Sequence, residues 1–313
     1  MPAPSPAVAV APAPAVAVAV APAPAVAVAV APAPAVASPV TTAPAVPVPA
    51  GLPVPAAAPA QAAAPVEPQP RYVVGLARDQ EDVRAAQRLR HQVFVGEMGA
   101  RLDGPEPGLD IDAFDAYCDH LLVREEATGE VVGTYRVLPP ERARIAGRLY
   151  SESEFDLGRL APVRDDLVEV GRSCVHPAHR NGAVIALIWA GLARYMTRTG
   201  HNWLAGCCSI PLADGGTLAA ATWDTVRTRH LAPEEYWVTP HKLWTPDGIT
   251  RPTRPMGRTE LPPLLRGYLR LGAWVCGAPA HDMDFGVADL YVLLSLRNTN
   301  PRYLRHFLSL APR

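Results

Sequence analysis

Residues 168–182, Val-Glu-Val-Gly-Arg-Ser-Cys-Val-His-Pro-Ala-His-Arg-Asn-Gly, hold the densest chemistry in the chain. They read as a strand, a tight turn and a helix start. Glu169 and Arg172 are three residues apart, so in a regular strand they face opposite ways. A β-bulge near Gly171 is needed to bring them together. The helix start that follows, Arg180, Asn181, Gly182, Ala183 and Val184, has the makings of an anion site. Its first N–H groups have no intrahelical partner and meet the positive end of the helix dipole. Gly182 admits a ligand close to the backbone, and Arg180 adds a charge-assisted contact. An ordinary helix N-terminus is the competing reading.

Asp112, Asp115, Asp119 and His120 form a second group, in and just after a Gly/Pro/Asp-rich loop from Gly99 to Asp115. Either they recognise a cation, or the aspartates make turns and caps, for which loops favour Asp. Arg90 and Arg136 are expected to pair with these carboxylates and hold the loop closed; the other role open to one of them is binding a ligand carboxylate. His120 reads as a hydrogen-bonded strand histidine, with base chemistry as its second role. The cysteines Cys118, Cys174, Cys207, Cys208 and Cys276 are odd in number and lack zinc-like spacing, so no metal site is expected. The pair Cys207-Cys208 lies in an apolar run and reads as packing rather than as a nucleophile. Free thiols in a chain this large suit a reducing, cytoplasmic compartment.

The elements that must position these groups follow from periodicity. A strand is expected over 72–77, then a helix from an Asp79 N-cap to about Glu97, with Glu81 and Asp82 in its first turn. An antiparallel hairpin joins 120–124 to 131–138 across Glu126-Ala127-Thr128-Gly129. A strand at 167–175, a helix at 183–198 ended by Gly200, a strand at 203–210, a helix at 216–229 and a late strand at 290–296 complete the series. The apolar helix face Val184, Leu187, Ile188, Gly191, Leu192 and Tyr195 is above all core, with lining one side of a tunnel as its other reading. This order predicts an α/β (α+β) domain over 71–313, a mixed, mostly antiparallel sheet flanked by helices rather than a doubly wound nucleotide fold.

Ahead of that domain, residues 1–70 are almost entirely Ala, Val and Pro, and the decapeptide APAPAVAVAV at 11–20 recurs at 21–30. Recurrent Pro rules out an uninterrupted spanning helix, and no basic region precedes it as in a signal peptide. A disordered, polyproline-like tail is expected. The only charged residue before 71 is Glu67, so the domain balances 29 basic against 29 acidic residues. Phosphate-backbone binding needs clustered positive charge, so nucleic acid is excluded as a partner.

The turn and helix at 180–184 resemble, in a loose version, the acyl-donor phosphopantetheine site of the GNAT superfamily. Six ordered blocks narrow the resemblance: Leu-Arg-His-Gln-Val-Phe (89–94), Phe-Asp-Ala-Tyr-Cys-Asp-His-Leu-Leu-Val (114–123), Gly-Thr-Tyr-Arg-Val-Leu (133–138), Tyr-Ser-Glu-Ser-Glu-Phe-Asp-Leu (150–157), Gly-Arg-Ser-Cys-Val-His (171–176) and Pro-Pro-Leu-Leu-Arg-Gly-Tyr-Leu-Arg-Leu-Gly-Ala (262–273). Together they are similar to the bacterial L-ornithine Nα-acyltransferases. The acyl-homoserine lactone synthases share Arg90, Phe94, Asp112, Asp115, Arg136, Glu169 and Arg172 with this chain.

The resemblance implies a bulged GNAT fold and a cosubstrate that is an acyl carrier protein thioester, or an acyl-CoA, with no tightly bound cofactor. It implies ornithine as acceptor and lyso-ornithine lipid as product, whose amphiphilic character suggests peripheral membrane contact. In that setting Glu169 is the expected base, because a protonated α-amine must lose a proton before nitrogen attacks the thioester. Arg172 shares the catalytic site, and backbone N–H groups of the strand after Glu169 would hold the oxyanion. Asp112, Asp115, Asp119, Arg136 and Arg90 are the acceptor-binding candidates. Other amine acceptors, acetyl-CoA as donor, and a non-enzymatic module that binds carrier protein or lipid are the alternatives. Glycerol-phosphate acyl transfer is excluded, since no histidine has Asp five positions on.

Overall fold

The computed structural model describes residues 70–102, 104–249, 256–257, 260–299, 305 and 309. The expected tail, apart from Pro70, lies outside the described residues. Strand β1 (Tyr72–Leu76) leads to helix α1 (Gln80–His91), whose N-cap Asp79 accepts the Asp82 N–H at 2.9 Å. A π-helical segment, Gln92–Glu97, continues α1, so the single long helix expected here changes its hydrogen-bond pattern at residue 92. The hairpin strands are β2 (Asp119–Glu125) and β3 (Val131–Leu138), followed by α2 (Pro140–Ala146), β4 (Phe155–Asp156), β5 (Leu167–Val175) and α3 (Ala183–Thr199). Then come β6 (Trp203–Pro211), α4 (Thr217–Arg229), β7 (Thr239–Pro240), α5 (Pro263–Leu271), β8 (Trp274–Val275), β9 (Ala280–Asp282) and β10 (Val287–Ser295).

The main sheet runs β1-β2-β3-β5-β6-β10-β8, with β9 also paired to β10, while β4 and β7 pair separately. Among the strands of the described residues only β5 and β6 pair in parallel, so the sheet is mixed and mostly antiparallel, as the element order implied. One face is covered by α3: Val184, Ile188, Leu192 and Met196 pack on Leu121, Tyr135, Val137, Val168 and Val170. On the other face α1 buries Ala86 and Leu89, and the π-helical segment Val93, against Leu122 and Cys174. Beside that cluster, Leu138, Leu167, Ala205, Cys207, Tyr291 and Leu293 continue the same face under the irregular stretch around Tyr150 and Phe155.

Two irregularities in the centre of the sheet matter for function. The β3–β5 register changes between Thr134 and Arg136, so Arg172 and Ser173 together oppose a single residue. That is a β-bulge, and Arg172 at φ +53° is the only non-glycine with positive φ among the described residues. Next to it, β5 pairs with β6 only over Leu167–Glu169 against Trp203–Ala205, although both strands continue. A wedge therefore begins beside Glu169.

Candidate active site

The extra residue of the bulge places Arg172 on the same face as Glu169, and both converge on Tyr150. Glu169 is 3% exposed, and its carboxylate accepts the backbone N–H groups of Tyr150 and, at 2.9 Å, Ser151. These belong to a 3-10 turn, Tyr150–Ser153, whose unpaired first N–H groups face a carboxylate as a helix start does. Arg172 donates to the Tyr150 hydroxyl at 2.9 Å, and the guanidinium groups of Arg136 and Arg172 lie 5.0 and 5.2 Å from the Tyr150 ring centroid. A small pocket here is lined by Phe114, Cys118, Leu138 and Tyr150 together with Arg136 and Glu169. Burial raises the Glu169 carboxyl above its ordinary range, and the hydrogen bonds from Ser151 and Tyr150 only partly oppose it. Such a group releases and takes a proton closer to neutrality than a surface glutamate does.

Behind the pocket, three arginines and three aspartates are buried together. Arg90 donates to Asp110 at 2.9 Å and to Asp115 at 2.7 and 3.0 Å. Arg136 donates to both Asp112 oxygens at 2.6 Å and to Asp115 at 3.0 Å. Arg172 joins Asp110 at 3.0 Å and Asp112 at 3.1 Å. Burial alone would raise the Asp115 carboxyl, but Arg90 and Arg136 outweigh it and hold the group far below the usual carboxylate range. Asp112 is lowered in the same way, against burial, by Arg136 and Arg172. Asp110 was not singled out in the sequence. Its role comes from contacts 20 and 62 residues away, and no local spacing carries that.

The remaining expected residues are placed as follows. Asp119 is not gathered with Asp112 and Asp115: it accepts from Arg142 and Tyr195 at 2.8 Å each. His120 is 2% exposed, with Nε2 3.2 Å from the Asp115 carbonyl, and burial lowers its basicity. At the start of α3, Asn181 Oδ1 already caps the Ala183 N–H at 3.0 Å, so one of the expected free donors is taken. Arg180 grips Glu97 through two bonds of 2.6 Å and the Val175 carbonyl at 3.1 Å. Gly182 has φ +90°, and Val184 packs so close to β3 that a Cβ on Gly133 would sit 2.5 Å from it. All five cysteines are buried and free, and burial pushes the Cys118 and Cys208 thiols up to about 12, which removes them as nucleophiles near neutral pH.

Residues 89–190 match the acetyltransferase (GNAT) domain. An L-ornithine N(alpha)-acyltransferase of Brucella abortus is 34% identical over 249 residues, 75% of this chain and 88% of that protein. One from Rhizobium meliloti is 36% identical over 250 residues, 74% and 82% of the two chains. The solved structure of BjaI, a CoA-dependent acyl-homoserine lactone synthase with SAM and isopentyl-CoA, is 17% identical, with a TM-score of 0.45 over 78% of this chain and 92% of that one. Identity at this level, sustained over most of both curated relatives, shows that the chain belongs to the L-ornithine N(alpha)-acyltransferase family, within the GNAT acyltransferases.

Proposed function

We propose that this enzyme transfers a 3-hydroxyacyl group from an acyl carrier protein thioester to the α-amine of L-ornithine, giving lyso-ornithine lipid. The observation that carries the reading is Glu169, a buried carboxylate with a raised proton affinity at the pocket and at the mouth of the β5–β6 wedge. Glu169 takes a proton from the α-ammonium, directly or through water, and the freed nitrogen attacks the thioester carbon. The C–N bond forms, the C–S bond breaks, and the carrier thiol leaves with a proton. Where β5 stops pairing with β6, backbone N–H groups of β5 after Glu169 supply oxyanion donors. The buried arginine–aspartate group fixes Arg172 and Tyr150, and through Tyr150 the turn whose N–H groups orient Glu169. The donor arm enters along the wedge toward the α3 start, and Arg194 and Arg198 on α3 orient the acidic carrier.

The reaction belongs to the cytoplasm, with the lyso-lipid product drawing the enzyme to the membrane surface. No helix among the described residues is long and apolar enough to cross a bilayer. The test is lipid mass spectrometry on cells expressing the full chain, fed deuterated ornithine, beside Glu169→Ala. A labelled N-acyl-ornithine that falls ~100-fold or more in the mutant is expected for loss of a general base. An unlabelled acyl-amine would move the reading to another acceptor, and no new lipid at all would sink it.

A further inference from the structure

Glu154, Asp282 and Asp289 bring carboxylate oxygens within 4.8 Å of one another, apart from the arginine–aspartate group. Asp282 is used locally: its Oδ1 accepts the N–H groups of Asp284 and Phe285 at 2.8 and 3.0 Å. Glu154 and Asp289 differ. All four of their oxygens are buried and make no well-formed hydrogen bond; the polar groups that act on Asp289 include the Ser209 side chain and the facing Glu154 carboxyl, and Asp289 is 0% exposed in β10. Two residues along the same strand face, the Tyr291 hydroxyl is a further orphan on a side chain 1% exposed. Buried polar groups are normally paired, and buried like charges are strongly disfavoured unless a cation joins them.

The place of these groups in the sheet links them to the base. Tyr291 is opposite Cys207 in the β10–β6 register, and Asp289 is opposite Ser209. The Cys207 sulfur is 3.3 Å from Ser151 Oγ, and the Ser151 N–H holds Glu169. A short path on one sheet face therefore runs from the base through Ser151 and Cys207 to Tyr291 and the two carboxylates. Phe155, packed 5.8 Å from the Tyr291 ring, makes its middle apolar. That order, carboxylate, apolar ring, carboxylates, is the order of groups that would face an amino acid with an α-amine, methylenes and a distal ammonium. An alkylammonium brings three N–H donors, and the carboxylates of Glu154 and Asp289 offer four acceptor oxygens. A hard divalent ion would want six or more oxygens, and one of the Asp282 oxygens is already committed to backbone.

We propose that Glu154 and Asp289 are the specificity subsite for the side-chain ammonium of the acceptor. The subsite rests on the diamino-acid reading of the function and adds how ornithine is selected over amino acids without a distal charge. Burial, with the neighbouring acids, raises the Glu154 carboxyl, and Asp289 is pushed up to about 7, so the empty site holds protons that a bound ammonium displaces.

The experiment uses the full-length enzyme with an acyl carrier protein thioester and compares L-ornithine with L-norvaline, which has the same carbon chain and no distal amine. Wild type should favour ornithine in kcat/KM by ~1,000-fold or more, because the orphan groups stay unpaired with norvaline. That ratio should fall ~100-fold in Glu154→Gln and in Asp289→Asn. In wild type alone, ornithine should raise Tm and norvaline should not. Folded variants that keep the wild-type ratio, or a wild type that accepts both amino acids equally, would overturn the subsite. So would one equivalent of divalent metal in the purified protein whose chelation abolishes activity. A wild type that ignores ornithine would instead strike at the functional reading beneath it.

Discussion

At the scale of single residues, this domain holds two buried acidic groups with opposite electrostatics. Asp112 and Asp115 face arginines and are held below the ordinary carboxylate range, against the pull of burial. An unfolded aspartate protonates near pH ~4, whereas these stay charged lower. The stability they contribute is full above that point and is lost as pH falls through the folded-state values. Asp115→Asn leaves Arg90 and Arg136 without part of their counter-charge and should destabilise the domain by about 3–5 kcal/mol at pH 7 in denaturant titrations. An unchanged midpoint would show that the group is not structural. Asp289 has the reverse sign. Its folded value is raised to about 7, so ionising it costs stability that grows as pH climbs from ~4 through 7. Asp289→Asn should therefore melt higher than wild type, by a margin larger at pH 8 than at pH 4. A margin that shrinks as pH rises would contradict an unpaired buried carboxyl. A gain in stability on neutralising a residue that selectivity requires is the usual mark of a ligand site.

At the scale of elements, the site depends on where regular structure stops. The bulge at Arg172 and the early end of the β5–β6 ladder create the wedge, and one glycine keeps the strands close at its mouth. A Cβ on Gly206 would sit 2.2 Å from the Val170 carbonyl oxygen, backbone against side chain with no rotamer to yield. Gly206→Ala should cost about 1–3 kcal/mol and lower kcat/KM more than that loss of fold explains, because it spreads β5 from β6 beside Glu169. Gly75→Ala on β1 meets nothing within 4 Å and serves as the control, stabilising by up to about 0.5 kcal/mol. If the two behaved alike in thermal melts and turnover, the wedge argument would fail. The principal strands and α1, α3 and α4 were legible from periodicity and caps. Helices α2 and α5 were not, because Pro140 and Pro263 read as breaks when each occupies the first helical position. The last strand was read from Leu290, whereas β10 begins at Val287. Asp289 argues locally against a buried strand, and that conflict marks an orphan carboxylate. Glu169 and Arg172 were singled out by the family resemblance, and their three-residue spacing then gave the need for a bulge. Glu154 could not be paired with Asp289, because their proximity is made by β10 lying beside β6 and by the turn that follows Tyr150.

At the scale of the whole molecule, on the carrier-protein reading proposed above, charge sets how the donor arrives. Beyond residue 70 the basic and acidic residues are equal in number, so no net field draws an acidic partner in. Attraction must come from a local patch. Arg194 and Arg198 are one turn apart on α3, the helix whose N-terminus is the proposed donor site, and Arg198 is exposed. From Ala183 to Arg198 the axis runs roughly 20 Å, so on that reading the two arginines orient a carrier at a distance from the chemistry rather than touching the thioester. Their effect should therefore fall on encounter. With an acyl carrier protein donor, kcat/KM of the wild type should drop as salt rises beyond ~0.1 M, where the Debye length shrinks to about 10 Å. Arg194→Glu with Arg198→Glu should lower that kcat/KM about tenfold at low salt and flatten the salt response, with kcat held and with an acyl-CoA donor scarcely affected. Carrier-protein kinetics that match wild type at every ionic strength would remove α3 as the docking face and leave the donor to be held at the wedge alone.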